Sequence, residues 1–246
     1  MTNIRMIEKI HFLIDVSSSM KDIIGAVCEN ISSTIEPLAD DTIISLSTFA
    51  NDVNLDCEET PKCSFKTPEL RTGGRTALYD SIVKVMSHET QMNAIVQKEK
   101  HVTVIIITDG MNTHGTKSYT DANESIRDAK SQNVSIKFLG ANQDAIATAA
   151  TLGVDEGDAL TYSADAFHVT EAFRGLSEVI VRRTETGEEQ HFSLPQRSAS
   201  AGPMVFANDP EINPLPPSIR RMSTRSPPPN RTNTIMKFFH CCDHMI

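Results

Sequence analysis

Five side chains on three separate stretches carry oxygen donors suited to a hard cation. They are Asp15, Ser17 and Ser19 in Asp15-Val16-Ser17-Ser18-Ser19, Thr76 in Thr72-Gly73-Gly74-Arg75-Thr76, and Asp109 in Thr108-Asp109-Gly110. Two carboxylates and three hydroxyls suit Mg2+ or Mn2+; Mg2+ takes about six oxygen ligands and usually keeps some of its waters. No Cys or His is among the five, which disfavours zinc and copper. Two carboxylates only balance the ion's charge, so it keeps an affinity for one further carboxylate from outside. Each piece alone also has a plainer reading. Asp and Ser after a strand are ordinary helix caps, Thr76 reads as the cap of the helix it precedes, and Gly73-Gly74 and Asp109-Gly110 read as turns. The joint placement of the three pieces is what points to a site.

That placement comes from the surrounding elements. Ile10, Phe12, Leu13 and Ile14 form a short apolar run, as in a strand buried on both faces. Ile23, Val27, Ile31 and Ile35 recur every four residues and share one face of a helix over 20–36. The β-branched run 42–49 reads as a second strand. Val53, Leu55 and Cys57 then alternate with polar residues after a tight turn at Asn51-Asp52, as in an edge strand. A helical period covers 77–96, and Val102 to Ile107, the most apolar run, is placed as the central strand. A helix from about Asp121 follows, with Glu124 completing a capping box. A strand over 134–139 ended by Gly140, a short helix over 145–152 stopped by Gly153, a strand over 159–162 and a last helix carrying Val169, Phe173, Leu176 and Ile180 complete the pattern. Alternation of this kind predicts a doubly wound α/β domain, its sheet mainly parallel and its helices on both faces. Ligands bind such sheets beyond the carboxyl ends of the strands, and all three stretches fall there.

With Asp15-x-Ser17-x-Ser19, Thr76 and the Thr-Asp-Gly strand end at Asp109 in that order, residues 7–184 resemble a von Willebrand factor A (vWA) domain of the stand-alone kind, with its metal-ion-dependent adhesion site (MIDAS). The resemblance implies a Rossmann-like vWA fold and a Mg2+ held by Asp15, Ser17, Ser19, Thr76 and Asp109. It implies that the aspartates often act through water and that an Asp or Glu from a bound protein completes the shell. The expected function is therefore divalent-cation-dependent protein binding, not catalysis. Two alternatives stay open: a metal-assisted hydrolase using the same cation, and a scaffold whose tail recruits partners. No Walker A run, Gly-x-Ser-x-Gly elbow or dinucleotide fingerprint is present. The second carboxylate that an aspartyl phosphatase needs two residues after its nucleophile is Ser17 here. His11, inside the first strand, reads as a satisfied core side chain, and His114 is assigned no role.

Composition bounds the rest. The 246 residues carry a net charge of -9, which argues against nucleic acid as a partner. No apolar run approaches the roughly 18 residues that span a bilayer. The first residues lack the unbroken apolar stretch of a secretory signal, and five sparse cysteines are no disulfide framework, so a cytoplasmic location is expected. Nine of the twelve prolines lie between Pro195 and Pro229. On that shift, 1–184 is expected to fold and 185–246 to be a largely disordered Pro/Ser/Arg-rich tail. Within the tail, Arg220-Arg221-Met222-Ser223 and Ser226-Pro227 resemble kinase sites, and Pro227 to Pro229 a polyproline ligand. His240, Cys241, Cys242 and His244 suggest soft-metal binding, acylation or a short docking peptide.

Overall fold

The computed structural model of the chain describes residues 7–95, 100–141 and 145–202, and all of these belong to one compact unit. Six strands form one sheet: β1 (Ile7–Asp15), β2 (Ile43–Phe49), β3 (Val53–Pro61), β4 (Lys100–Thr108), β5 (Val134–Ala141) and β6 (Ala159–Tyr162). Their order is β3-β2-β1-β4-β5-β6, with every pairing parallel except the β2–β3 hairpin at one edge. The expected edge strand, central strand and mainly parallel sheet are all present.

Helices cover both faces because the sheet as a whole is apolar on both. Ile10, Phe12 and Ile14 pack with Val27 and Ile31 of α1 (Ile24–Ile35) and with Val169, Phe173 and Leu176 of α5 (Ala166–Thr186). Leu13 and the even-numbered residues of β4 and β5, such as Val104, Ile106 and Phe138, pack on the other face. Their partners there are α2 (Leu78–Ile95), α3 (Tyr119–Ser131) and α4 (Ala145–Thr151). Full burial of a single Ile or Leu in either layer contributes about 1.5–3 kcal/mol.

Three expectations are corrected. The helix expected over 20–36 begins as a 3₁₀ turn, Ser18–Asp22, and becomes α-helical only at Ile24. The capping box of α3 lies one turn earlier than Asp121 and Glu124. Ser118 accepts from the Asp121 backbone N–H, and Asp121 accepts from the Ser118 backbone N–H, so Asp121 occupies the third helical position. Gly140 does not end β5, which continues to Ala141 with Gly140 paired to both neighbouring strands.

The boundary expected at 184 is also displaced. Helix α5 runs to Thr186 and stops at Gly187, whose φ of 72° is the left-handed conformation glycine supplies at a helix end. Order then continues through α6 (Leu194–Ser200), so 185–202 is folded. The physical reason is β6, which is so short that it pairs only with residues 138–141 of β5. Lys137 lies just before that pairing and is buried. Its ammonium donates to Asp158 Oδ1 at 2.6 Å, Glu189 Oε1 at 2.7 Å and the Gln190 carbonyl at 2.5 Å, which pins the segment after α5 against the strand. Phe192 is buried in the α1/α5 layer, and Ser200 donates its hydroxyl to the Thr161 carbonyl at 2.9 Å. The tail motifs around Arg220, Ser226, Pro227 and Cys241 lie outside the described residues.

Candidate metal centre

Asp15 is the last residue of β1, and Asp109 follows the last residue of β4. These strands are neighbours, so the two carboxylates emerge side by side at the carboxyl edge of the sheet. Asp15 has no exposed surface, whereas Asp109 is half-buried. The Ser17 backbone N–H donates to Asp15 Oδ1 and the Thr108 hydroxyl to Oδ2, both at 2.7 Å, which fixes the plane of the carboxylate. The hydroxyls of Ser17 and Ser19 are 3.1 Å apart, and Ser19 donates on to Asp109 Oδ1 at 2.8 Å. Thr76 is buried on the third loop, and its hydroxyl lies 3.6 Å from where a Cβ on Gly110 would sit. Asp15, Ser17, Ser19 and Asp109 thus form one hydrogen-bonded chain, with Thr76 beside the residue that follows Asp109.

Backbone hydrogen bonds lock the three loops together. Gly73 N–H donates to the Val16 carbonyl at 2.8 Å and Ser18 N–H to the Gly74 carbonyl at 3.2 Å. Gly74 has φ 82°, and a Cβ there would lie 3.1 Å from Asn51, so both its conformation and its close approach to the β2–β3 turn call for glycine. Asn51 accepts from Arg75 N–H at 2.9 Å. On the other side, Thr76 N–H donates to the Thr113 hydroxyl at 3.0 Å, and the Thr76 carbonyl accepts from the Thr113 and His114 backbones. Asp80, in the first turn of α2, accepts from Thr116 and Lys117.

The electrostatics are unusual for buried acid. Burial pushes the Asp15 pKa above the ordinary carboxylate value; hydrogen bonds from Thr108 and Ser17 oppose this, and the Asp109 charge adds to it. Among the described residues no Lys, Arg or His forms an ion pair with Asp15 or Asp109. Tyr162, at the end of β6, is fully buried, and its hydroxyl has no hydrogen-bond partner among the described residues. Burial, then the charges of Asp109 and Asp15, push its pKa up as well.

The donor set fits a hard divalent cation: oxygens only, two adjacent carboxylates, and no protein cation to neutralise them. Among the described residues no group of three or more His, Cys, Asp or Glu could hold a metal, so neither a zinc-type nor a carboxylate-cage site competes with it. Sequence reasoning missed Thr108, Thr113 and Asn51 as supports of this rim. Thr108, directly before the Asp-Gly pair at a strand end, was the one with a visible signal.

A family model described as von Willebrand factor type A domain matches residues 9–175. Similar solved structures include proximal thread matrix protein 1 from the mussel byssus, at 17% identity and TM-score 0.56 over 72% of this chain and 47% of that one. The same mussel protein with a zinc-occupied MIDAS motif aligns at 15% identity and TM-score 0.54, over 73% and 47%. The ArnB paralog VWA2 from Sulfolobus acidocaldarius aligns at 23% identity and TM-score 0.51, over 70% and 44%. The chain spans less than half the length of each of these structures, and the likeness is one of fold. No curated protein matches the sequence.

Proposed function

The chain belongs to the von Willebrand factor type A domain family, a family of protein-interaction modules, and from that premise we propose that it binds a partner protein through a divalent cation. Asp15, Ser17, Ser19, Thr76 and Asp109 would hold Mg2+ at the carboxyl edge of the sheet. When bound, the cation supplies a Lewis-acidic position for an Asp or Glu side chain of the partner. Ser17 and Ser19 turn neutral hydroxyls to the site, so the chain itself contributes only two negative charges. Thr108 and the Ser17 backbone hold Asp15 in one orientation, which removes the ordering cost of binding.

The observation that carries this reading is a fully buried carboxylate, Asp15, beside a second carboxylate and with no cationic side chain paired to either among the described residues. Burying charge without a partner is costly, and a bound cation offsets that cost. The zinc-occupied MIDAS motif of the mussel protein supports the cation class, while the all-oxygen donor set here favours Mg2+ or Mn2+. Among the described residues neither rim serine bonds a His or Lys; their hydroxyls bond each other and Asp109, a carboxylate that the cation would neutralise. That favours binding over metal-assisted hydrolysis.

Calorimetric titration of the full chain with Mg2+ alone tests the site. Saturable binding of one ion per chain is expected, abolished in Asp109→Ala with the circular dichroism unchanged. Absence of binding in the unaltered protein would overturn the reading. Capture of partners with and without EDTA then tests the bridge, and undiminished capture under chelation would reject it.

A further inference from the structure

Halfway along the sheet, away from the rim, three side chains stand in a nucleophile–base–acid order. His11 of β1 is buried between Ser47 of β2 and Glu89 of α2. Its Nδ1 is 2.6 Å from Glu89 Oε1, and its Nε2 is 2.9 Å from Ser47 Oγ. A carboxylate only accepts, so Nδ1 carries the proton that faces Glu89. In neutral imidazole Nε2 is then bare and accepts the Ser47 O–H. Burial lowers the His11 pKa, against the opposing pull of Glu89, which favours that neutral form. Lys9, 2.9 Å from Glu89 Oε2, holds the acid ionised.

A second Ser–His–Glu set in the same molecule shows what a merely structural version looks like. His101 contacts Glu8 Oε1 through Nδ1 and Ser135 Oγ through Nε2, each at 3.0 Å. There the Ser135 hydroxyl donates to Glu189, so its proton is already committed and the imidazole has to donate to it. Ser47 has no second hydrogen-bond partner among the described residues, so its proton is aimed at a base. The Ser47 set also has space for a ligand. His11 and Ser47 line a cavity of about 110 Å³ with Val53, Leu55, Val85 and Lys84, between the edge hairpin and α2. Its lining is mainly apolar and also includes His88; the Lys84 ammonium at its wall donates to the Val53 carbonyl at 3.0 Å. That volume admits a short acyl chain but not a drug-sized ligand, since ligand pockets of that kind run to roughly 300 Å³ or more.

We propose that Ser47, His11 and Glu89 form an acyl-transfer unit that takes the acyl group of short-chain carboxylic esters. Ser47 Oγ attacks the acyl carbon while its proton passes to His11 Nε2. The bond from the acyl carbon to the ester oxygen then breaks, and His11 returns the proton to the departing alcohol. Water, deprotonated by the same nitrogen, later releases the acid and restores Ser47. Glu89 orients the ring and stabilises its protonated form. This unit is independent of the rim cation.

The test exposes the folded full chain to p-nitrophenyl acetate and maps the acetylated residue by peptide mass spectrometry. Acetylation at Ser47 is expected, unaffected by EDTA and absent in Ser47→Ala. It should slow about 10²-fold or more in His11→Gln, the usual contribution of a general base. If His11→Gln does not fold, Glu89→Gln gives the same reading, and wild-type protein unfolded in urea should lose the Ser47 adduct. Release of p-nitrophenol by folded wild-type protein no faster than by Ser47→Ala, or equal rates with and without the base, overturns the proposal.

Discussion

Acidic side chains at the carboxyl edge of the sheet and those in its interior are satisfied in opposite ways. Among the described residues the interior's buried acids, Glu89 and Asp158, and the half-buried Glu59 each have a cation at hand. Glu89 faces Lys9 and His11, Asp158 faces Lys137 and His191, and Glu59 bridges Lys9 and Lys100. Despite the opposing effect of burial, hydrogen bonds and nearby positive charge hold the pKa values of Glu89, Glu59 and Glu189 below the ordinary glutamate value. At the edge, Asp15 is as deeply buried as Glu89, yet it is met only by N–H and O–H groups and its pKa is raised. One fold thus holds buried acids completed from within and one left short of positive charge. The lesson is that a site is marked by what its neighbours withhold.

The largest effect should come from breaking the interior pattern. Lys137→Met leaves Asp158 and Glu189 without their shared cation, and removal of one partner of a buried pair costs about 3–5 kcal/mol. A loss of that size in the unfolding free energy from urea titration is expected, and a change below 1 kcal/mol would show that the pairing is dispensable. Acid should reveal the same pairs more gently. A glutamate with a lowered folded-state pKa contributes stability that is present above its unfolded value, 4.5, and lost as pH falls through the folded value. Stability should therefore decline below about pH 4.5, by roughly 1.4 kcal/mol per pH unit for each proton taken up. In Lys9→Met the decline should be smaller and end at a higher pH, because Glu89 loses part of what lowers its folded-state pKa. The smallest effect is expected at the edge. In metal-free buffer Asp109→Asn should change stability by no more than about 0.5 kcal/mol, since no ion pair is lost and repulsion with Asp15 is relieved. A loss of several kcal/mol, measured by urea unfolding in EDTA, would erase the contrast between the two regions.

Much of this arrangement was legible in the sequence because period and spacing report it directly. The four-residue spacing of Ile23, Val27, Ile31 and Ile35 and the uniformly apolar 102–107 each admit one placement, and strand-to-helix alternation does the rest. Asp15, Ser17, Ser19 and Asp109 could be placed at the rim because chain order puts them at the ends of β1 and β4, whereas Thr76 lies in the loop before α2. Most of what supports them could not, since Asn51 and Thr113 act through hydrogen bonds between loops far apart in sequence. The interior pairs were invisible for the same reason: Lys9 and Glu89 are eighty positions apart, and no local pattern announces that both are buried. The boundary at 184 failed because composition averages over a segment in which a few residues decide the outcome. Phe192, Gln196 and Ser200 are enough to hold 185–202 against α5 and β6.

The anchoring of that segment by Lys137 also decides how the domain can be excised. Stopping the polypeptide at 175, where the family match ends, would delete half of α5 together with Glu189, Gln190 and Phe192. Lys137 would then sit beside an uncovered strand, with only Asp158 left to answer its charge. A transplantable cassette has to include α6, so for this chain the smallest self-sufficient piece is longer than its family signature.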